Sequence, residues 1–338
     1  MILDKLRVNN ASIYLIDTLA LGNAKTVACY LIVDKKVALI DMGYSSSKDT
    51  IVNDIRSLNL TLMDIDYLIP THLHLDHCGS LGYLAMHSDA EIVTHARAVK
   101  HILDPSRLIA SVKQVFGEHA LDVFGSPIAV QPSKSIIGVD KNNNYNLDLG
   151  SIELTCIDAE GHAPHQIAVY INANTTLIAT ADSVSMLYPN FPYCFVPTTP
   201  PPSFDYKKYI ETVNRLKEFD ARVLLMPHFG ISNDPSIIFD STLASIDEWI
   251  TVIQGFMDSI DKKEKGKGVK EDDEEEKREE KGIDTNTAIS ILEYHMINYV
   301  SSIAGINQGV IPEYVKNSIR NSVKGIYGYL INRAKTNV

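Results

Sequence analysis

The chain has 338 residues, enough to bury a large core, and the natural prior is one large domain with an appendage. Its 45% hydrophobic and 22% charged residues describe an ordinary globular protein, and a net charge of -11 argues against a surface made for nucleic acid or anionic lipid. The opening MILDKLRVNNASIYL lacks the basic start and apolar core of a secretory signal, and no apolar run is long enough for a bilayer, so a cytoplasmic protein without membrane or nucleic-acid partner is expected.

Residues 11–18, 27–33 and 37–41 are short runs rich in Val, Ile and Tyr, and read as neighbouring antiparallel strands. Asp41-Met42-Gly43 ends the third, and 46–58 reads as a helix with Ile51, Ile55 and Leu58 on one face. The apolar run Tyr67-Leu68-Ile69-Pro70 reads as a buried strand leading into Thr71-His72-Leu73-His74-Leu75-Asp76-His77. Glu91 to Thr94 is a further strand, and 96–124 reads as two or three short helices punctuated by Asp104-Pro105 and Gly117. His87, His95, His101 and His119 in this part show no ligand spacing and read as surface or packing histidines. The segment 141–150 reads as a polar turn region.

Strands at 152–157 and 167–171 flank Glu160-Gly161-His162-Ala163-Pro164-His165-Gln166. Leu177 to Thr180 leads into Ala181-Asp182-Ser183, and Val223 to Met226 into Pro227-His228. The layout repeats: an apolar strand, then a ligand-type residue at its end, where a rigid sheet holds a loop for chemistry. Met186 to Pro202 reads as a loop suited to covering a pocket, or as a passive surface loop. Helices are expected at 205–219 and 236–260. Composition then changes: 261–281 holds ten acidic and eight basic residues with one apolar side chain, the pattern of a solvated linker. Helical patterning returns from 285 to 338 with a break near 305–312. The expected division is therefore a main domain at 1–260, a charged linker or insertion at 261–282 and a helical extension at 283–338. That extension is expected to pack on the main body or on a second subunit, giving a homodimer through the C-terminal helices.

Three imidazoles and a carboxylate within six positions are costly to keep together unless something binds them. Side chains two apart point the same way in extended chain, so His72 and His74 can grip one ion, while Asp76 and His77 face a second. Imidazole and carboxylate donors suit zinc, iron or manganese. Cys29, Cys78, Cys156 and Cys194 lie far apart without a CxxC pair, which argues against a disulfide framework and a cysteine zinc knuckle.

The HxHxDH motif at 72–77, Gly161-His162, Asp182 after a strand and the late His228 match in order and spacing, and over about residues 11–235 the chain resembles the metallo-β-lactamase-fold hydrolase superfamily. The resemblance implies an α+β fold, a four-layered αββα sandwich of two mixed β-sheets flanked by helices. It implies that His72, His74 and His162 bind one metal, that Asp76, His77 and His228 bind a second, and that Asp182 bridges them. Asp41 would support the ligand loops. The reading GHAPH at 161–165 is one residue shorter than the pattern frequent in the family, which brings His165 near while leaving His162 the ligand.

Two divalent cations about 4 Å apart lower the pKa of a shared water, and the resulting bridging hydroxide attacks an electrophilic centre, with Asp76 able to shuttle the proton. The expected function is a binuclear hydrolase, with two ions, zinc ahead of iron or manganese, acting on a small-molecule ester, thioester or lactone in the manner of glyoxalase-II-like or lactonase-like relatives. Lactonase-like relatives place a tyrosine where this chain has Ser185, so Tyr188 or Tyr193 could substitute only from an inward-folded loop. The alternatives are a mononuclear iron enzyme of the persulfide-dioxygenase kind, a phosphodiesterase or nuclease, and a metal-binding scaffold without catalysis.

Overall fold

The computed structural model describes residues 1–189, 191–265, 284–305 and 307–336, and the side chains of 191–194, 260–265, Gln308 and Thr336 are not described. The first half of the chain supplies seven strands in chain order: β1 (Ile2–Val8), β2 (Ala11–Asp17), β3 (Ala28–Val33), β4 (Val37–Ile40), β5 (Tyr67–Ile69), β6 (Glu91–His95) and β7 (Ile136–Val139). Pairing is antiparallel from β1 to β4 and parallel from β4 to β7, so the sheet is mixed. Between these strands run α1 (Lys48–Ser57), α2 (Leu75–Cys78), α3 (Leu81–Met86), α4 (Val99–Leu103), α5 (Ser106–Phe116) and α6 (Ala120–Phe124).

The second half adds β8 (Tyr145–Asp148), β9 (Glu153–Asp158), β10 (Ile167–Asn172), β11 (Leu177–Ala179), β12 (Met186–Tyr188), β13 (Phe191–Val196), β14 (Val223–Met226) and β15 (Gly230–Ser232). Six of them form a second mixed sheet in the order β15-β14-β11-β10-β9-β8, parallel only between β11 and β14. β12 and β13 form a separate hairpin. The helices of this half are α7 (Tyr206–Glu218), α8 (Pro235–Lys265), α9 (Thr285–Ile303) and α10 (Glu313–Thr336).

Strand periodicity explains the layering. Along β3, Ala28, Tyr30 and Ile32 face the second sheet, while Cys29 and Leu31 face α1 and α3 through Ile51, Ile55, Leu81 and Leu84. Along β10, Ile167, Val169 and Ile171 complete the core between the sheets. Ala168 belongs to a third cluster with Val213 of α7, Trp249 of α8, Leu292 of α9 and Ile319 of α10. The result is an αββα sandwich with a helical C-terminal extension. α10 lies on the main body: the Ser322 hydroxyl donates to the Pro197 carbonyl, and a Cβ at Gly325 would overlap the Thr199 carbonyl oxygen.

Several elements depart from the sequence reading. The expected polar turn at 141–150 contains β8, an edge strand that buries only Leu147 and keeps Asn146 and Asp148 in solvent, so its pattern is that of a half-covered edge. The expected loop at 186–202 contains the β12–β13 hairpin. β1, β7 and β15 went unread, because each is short or exposed, with Asp4 and Lys5 inside β1 and Gly138 inside β7. α8 runs to Lys265, past the expected start of the linker, and 266–282 of that expected linker lie outside the described residues. Cys29, Cys78 and Cys156 are buried free thiols, and burial raises the pKa of each. The Tyr193 and Cys194 side chains lie outside the described residues.

Candidate metal centre

Four strands end at one edge of the sandwich, and each delivers a ligand-type residue just beyond its last hydrogen-bonded position. His72 and His74 follow β5, His162 follows β9, Asp182 follows β11 and His228 follows β14. α2 starts at Leu75 and turns Asp76 and His77 back into the same place. Ligand-type atoms of His72, His74, His162 and Asp182 lie within 4.8 Å of one another, as do those of Asp76, His77 and His228. All seven residues singled out from sequence therefore converge, with Asp182 grouped beside His72, His74 and His162. His165 lies outside both sets, and its Nδ1 accepts a 3.4 Å hydrogen bond from the Leu73 N–H. Burial pushes the pKa of its ring down to about 3.

The imidazoles are oriented from behind. His162 Nδ1–H donates to the Thr198 carbonyl at 2.6 Å and His228 Nδ1–H to the Thr26 carbonyl at 2.9 Å, which turns both Nε2 atoms inward. Asp41 holds two pieces at once: Oδ1 accepts from the Thr71 N–H at 2.8 Å and Oδ2 lies 2.9 Å from His77 Nδ1. This is the supporting role expected of it. The carbonyls of Thr198 and Thr26 were invisible in the sequence, because any residue offers a backbone oxygen.

Asp182 sits between the sets. Oδ2 is 3.2 Å from His162 Nε2, and Oδ1 is 3.5 Å from His77 Nε2 and 3.4 Å from His228 Nε2. Oδ1 is buried without a hydrogen-bond partner among the described residues. His77 Nε2 and His228 Nε2 face each other at 3.2 Å, so a proton or a cation must lie between them. Burial holds His74 down to about 3 and His162 to about 4, the neutral form a ligand needs. Burial also pulls His77 down, but the carboxylates of Asp182, Asp76 and Asp41 outweigh it and hold the ring well above its usual value. Positive charge is thus favoured at the centre of the pocket, and among the described residues Asp76 and Asp182 form ion pairs with histidines alone, not with a Lys or Arg. The donor set fits divalent cations.

A third buried group, His95, Asp158 and Glu160, also has metal-like composition. There the charges are already met. Glu160 pairs with Arg97, with Lys208 at 2.6 Å and with Lys141 at 3.7 Å. Asp158 pairs with His95 Nε2 at 3.2 Å and Arg215 at 3.7 Å. His95, read from sequence as a surface or packing residue, is the buried member that ties β6 to β9.

The family model of the Metallo-beta-lactamase superfamily matches residues 22–228, more than half of the chain and all seven of these residues. The chain belongs to the metallo-beta-lactamase superfamily. Within that superfamily it is 28% identical over 201 residues to the metallo-beta-lactamase fold-containing protein ST1585 of Sulfurisphaera tokodaii, covering 59% of this chain and 70% of that one. It is 24% identical over 152 residues to the "probable metallo-hydrolase YflN" of Bacillus subtilis, covering 42% of this chain and 53% of that one. The crystal structure of ST1585 superposes with a TM-score of 0.60 at 19% identity, covering 93% of this chain and 98% of that one. The superfamily protein TTHA1429 of Thermus thermophilus superposes with a TM-score of 0.62 at 16% identity, covering 95% and 94%. These two likenesses carry the fold. Among the described residues no helix is long and apolar enough to cross a membrane.

Proposed function

We propose that this chain is a metal-dependent hydrolase of carboxylic esters, thioesters or lactones, with two metal ions held by these seven side chains. His72, His74 and His162 would hold one ion, Asp76, His77 and His228 the other, and Asp182 would be shared between them. Zinc is the ion these donors suit first, with iron and manganese accepted by the same set. When bound, a pair of such ions acidifies water and polarises a carbonyl oxygen.

The remaining work falls to the chain. Asp41, Thr198 and Thr26 fix the imidazoles, so the floor of the cavity is set before substrate arrives. The Asp76 side chain is 20% exposed against 5% for Asp182, which makes it the carboxylate able to take a proton from the attacking water and return it to the leaving group. A cavity of about 710 Å³ opens directly over His74, Asp76, His162, Asp182 and His228, within the size range of small-molecule sites. The observation that carries the proposal is the orphaned Asp182 Oδ1 among inward-facing imidazole nitrogens at the floor of that cavity.

The test is metal content by elemental analysis, with thioester, lactone and bis-(p-nitrophenyl) phosphate turnover measured on the same sample. About two equivalents with cleavage of a carbonyl substrate are expected. One equivalent of iron without hydrolysis would move the chain to the dioxygenase reading, and phosphodiester cleavage alone would move it to the nuclease reading.

A further inference from the structure

The cavity over the seven ligands has two unlike walls. One is formed by α5 and α6, which turn Leu108, Val112, Val115, Phe116, Val123 and Phe124 towards it. The other is formed by α10 through Asn317, Ser318, Arg320, Asn321 and Lys324. The cations of the α10 wall already have carboxylates: Arg320 pairs with Glu313, and Lys324 lies 3.5 Å from Glu293. That wall offers hydrogen bonds, whereas the α5–α6 wall is mostly apolar, with Ser111 and His119 its polar members.

Leu108, Val112 and Phe124 of this wall pack into a small cluster with Leu75 and Ala120, while its outer part is open. Phe116 is 49% and Val123 56% exposed, and Leu21, across the same cavity, is 42% exposed. Leu21 is held there with a left-handed φ of 53°. That region of backbone space costs a leucine roughly 1–2 kcal/mol. Scattered surface leucines are ordinary, but large apolar groups that share one cavity with a reactive floor mark a ligand surface.

We infer that the α5–α6 wall receives a hydrocarbon acyl chain, so that the substrate is an ester, thioester or lactone whose acyl part is a chain of several methylenes and whose polar remainder faces α10. This rests on the reading of the cavity floor as a hydrolytic centre. The acyl carbonyl lies at the floor, and the chain runs up past Val112 and Val115 to leave between Phe116, Val123 and Leu21. The α10 wall would strip such a chain of water without replacing the hydrogen bonds of its own amides, so the chain has one favourable side.

The test uses the zinc-loaded full chain with p-nitrophenyl acetate, hexanoate and decanoate. Titration calorimetry with octanamide reads the wall separately from turnover. kcat/KM is expected to rise by about fourfold per methylene over the first several carbons, the value of about 0.8 kcal/mol for burying one CH₂. Octanamide binding is expected to show a negative heat-capacity change. Phe116→Asp and, independently, the more exposed Val123→Asp should each lower the decanoate-to-acetate ratio by at least about tenfold and weaken octanamide by a similar factor. A flat chain-length profile, with octanamide binding that neither variant alters, would overturn the inference and leave the hydrolase reading standing. Octanamide binding weakened by both variants, with no ester turned over, would support the acyl wall and remove the hydrolase reading. A change in oligomeric mass in both variants, without a change in the ratio, would make the wall a protein contact and overturn the inference.

Discussion

Two buried clusters of histidine and carboxylate lie on either side of Gly161, and they differ in how their charge is met. Around Glu160 and Asp158 the protein brings its own cations: Arg97, Lys141, Lys208 and Arg215 approach the two carboxylates, and no buried side-chain oxygen there lacks a partner among the described residues. Around Asp182 it brings five imidazoles and a second carboxylate, and leaves Oδ1 of Asp182 without a hydrogen bond. Burial and residue type are alike in both places. Burying a charge without a Lys or Arg partner is costly, so the cluster that carries such partners reads as a brace and the one that lacks them is the proposed binding site.

The sharpest way to break this comparison is Asp182→Ala, which removes the side chain placed between both ligand sets. Bound metal and hydrolysis should both fall by more than the roughly 10–100-fold that loss of an outer supporting partner costs, checked by elemental analysis and steady-state rates. Full metal content in that variant would remove Asp182 from its central role. Gly161→Ala comes next, because this residue joins the two clusters with a φ of 142° and a Cβ there would overlap the Tyr209 backbone. A loss of more than about 2 kcal/mol in urea unfolding is expected, from strain and overpacking together.

Asp158→Asn addresses the brace alone. It should cost about 1–2 kcal/mol, less than a fully buried pair because the Arg215 side chain is 43% exposed, with metal content unaltered. Burial pushes the Asp158 carboxyl up, but His95, Arg215 and Lys141 outweigh it and hold it below its ordinary value of 3.8. Its folded pKa therefore lies below its unfolded one. The stabilisation is complete above pH 3.8 and is lost as pH falls through the lower folded value. The gap in melting temperature between native chain and variant should hold at pH 5 and close at more acid pH; a gap that widens there would refute the sign. The smallest effect belongs to Arg97→Ala. Its side chain is 57% exposed and Lys208 still reaches Glu160, so under about 1 kcal/mol is expected in the same unfolding assay.

The convergence of the proposed ligands was legible in the sequence because metal donors must be particular residue types at the ends of strands, and strands announce themselves by apolar alternation. His72, His74, His162, Asp182 and His228 each follow such a run. The brace was not legible in this way. His95, Asp158 and Glu160 share no spacing, and their partners come from α7 and from residues 97 and 141. Nor were β8 and the β12–β13 hairpin, whose half-exposed or mixed patterns resemble loops until a neighbouring strand or helix supplies the covered side.

The central claim is that metal goes to the cluster without its own cations and not to the one with them. Zinc titration of the chelator-treated full chain, followed by desalting and elemental analysis, tests it directly in the native protein, Asp182→Ala and Asp158→Asn. The account predicts about two equivalents in the native chain and in Asp158→Asn, and fewer than about one in Asp182→Ala. An equivalent lost from Asp158→Asn, or two retained by Asp182→Ala, would contradict it.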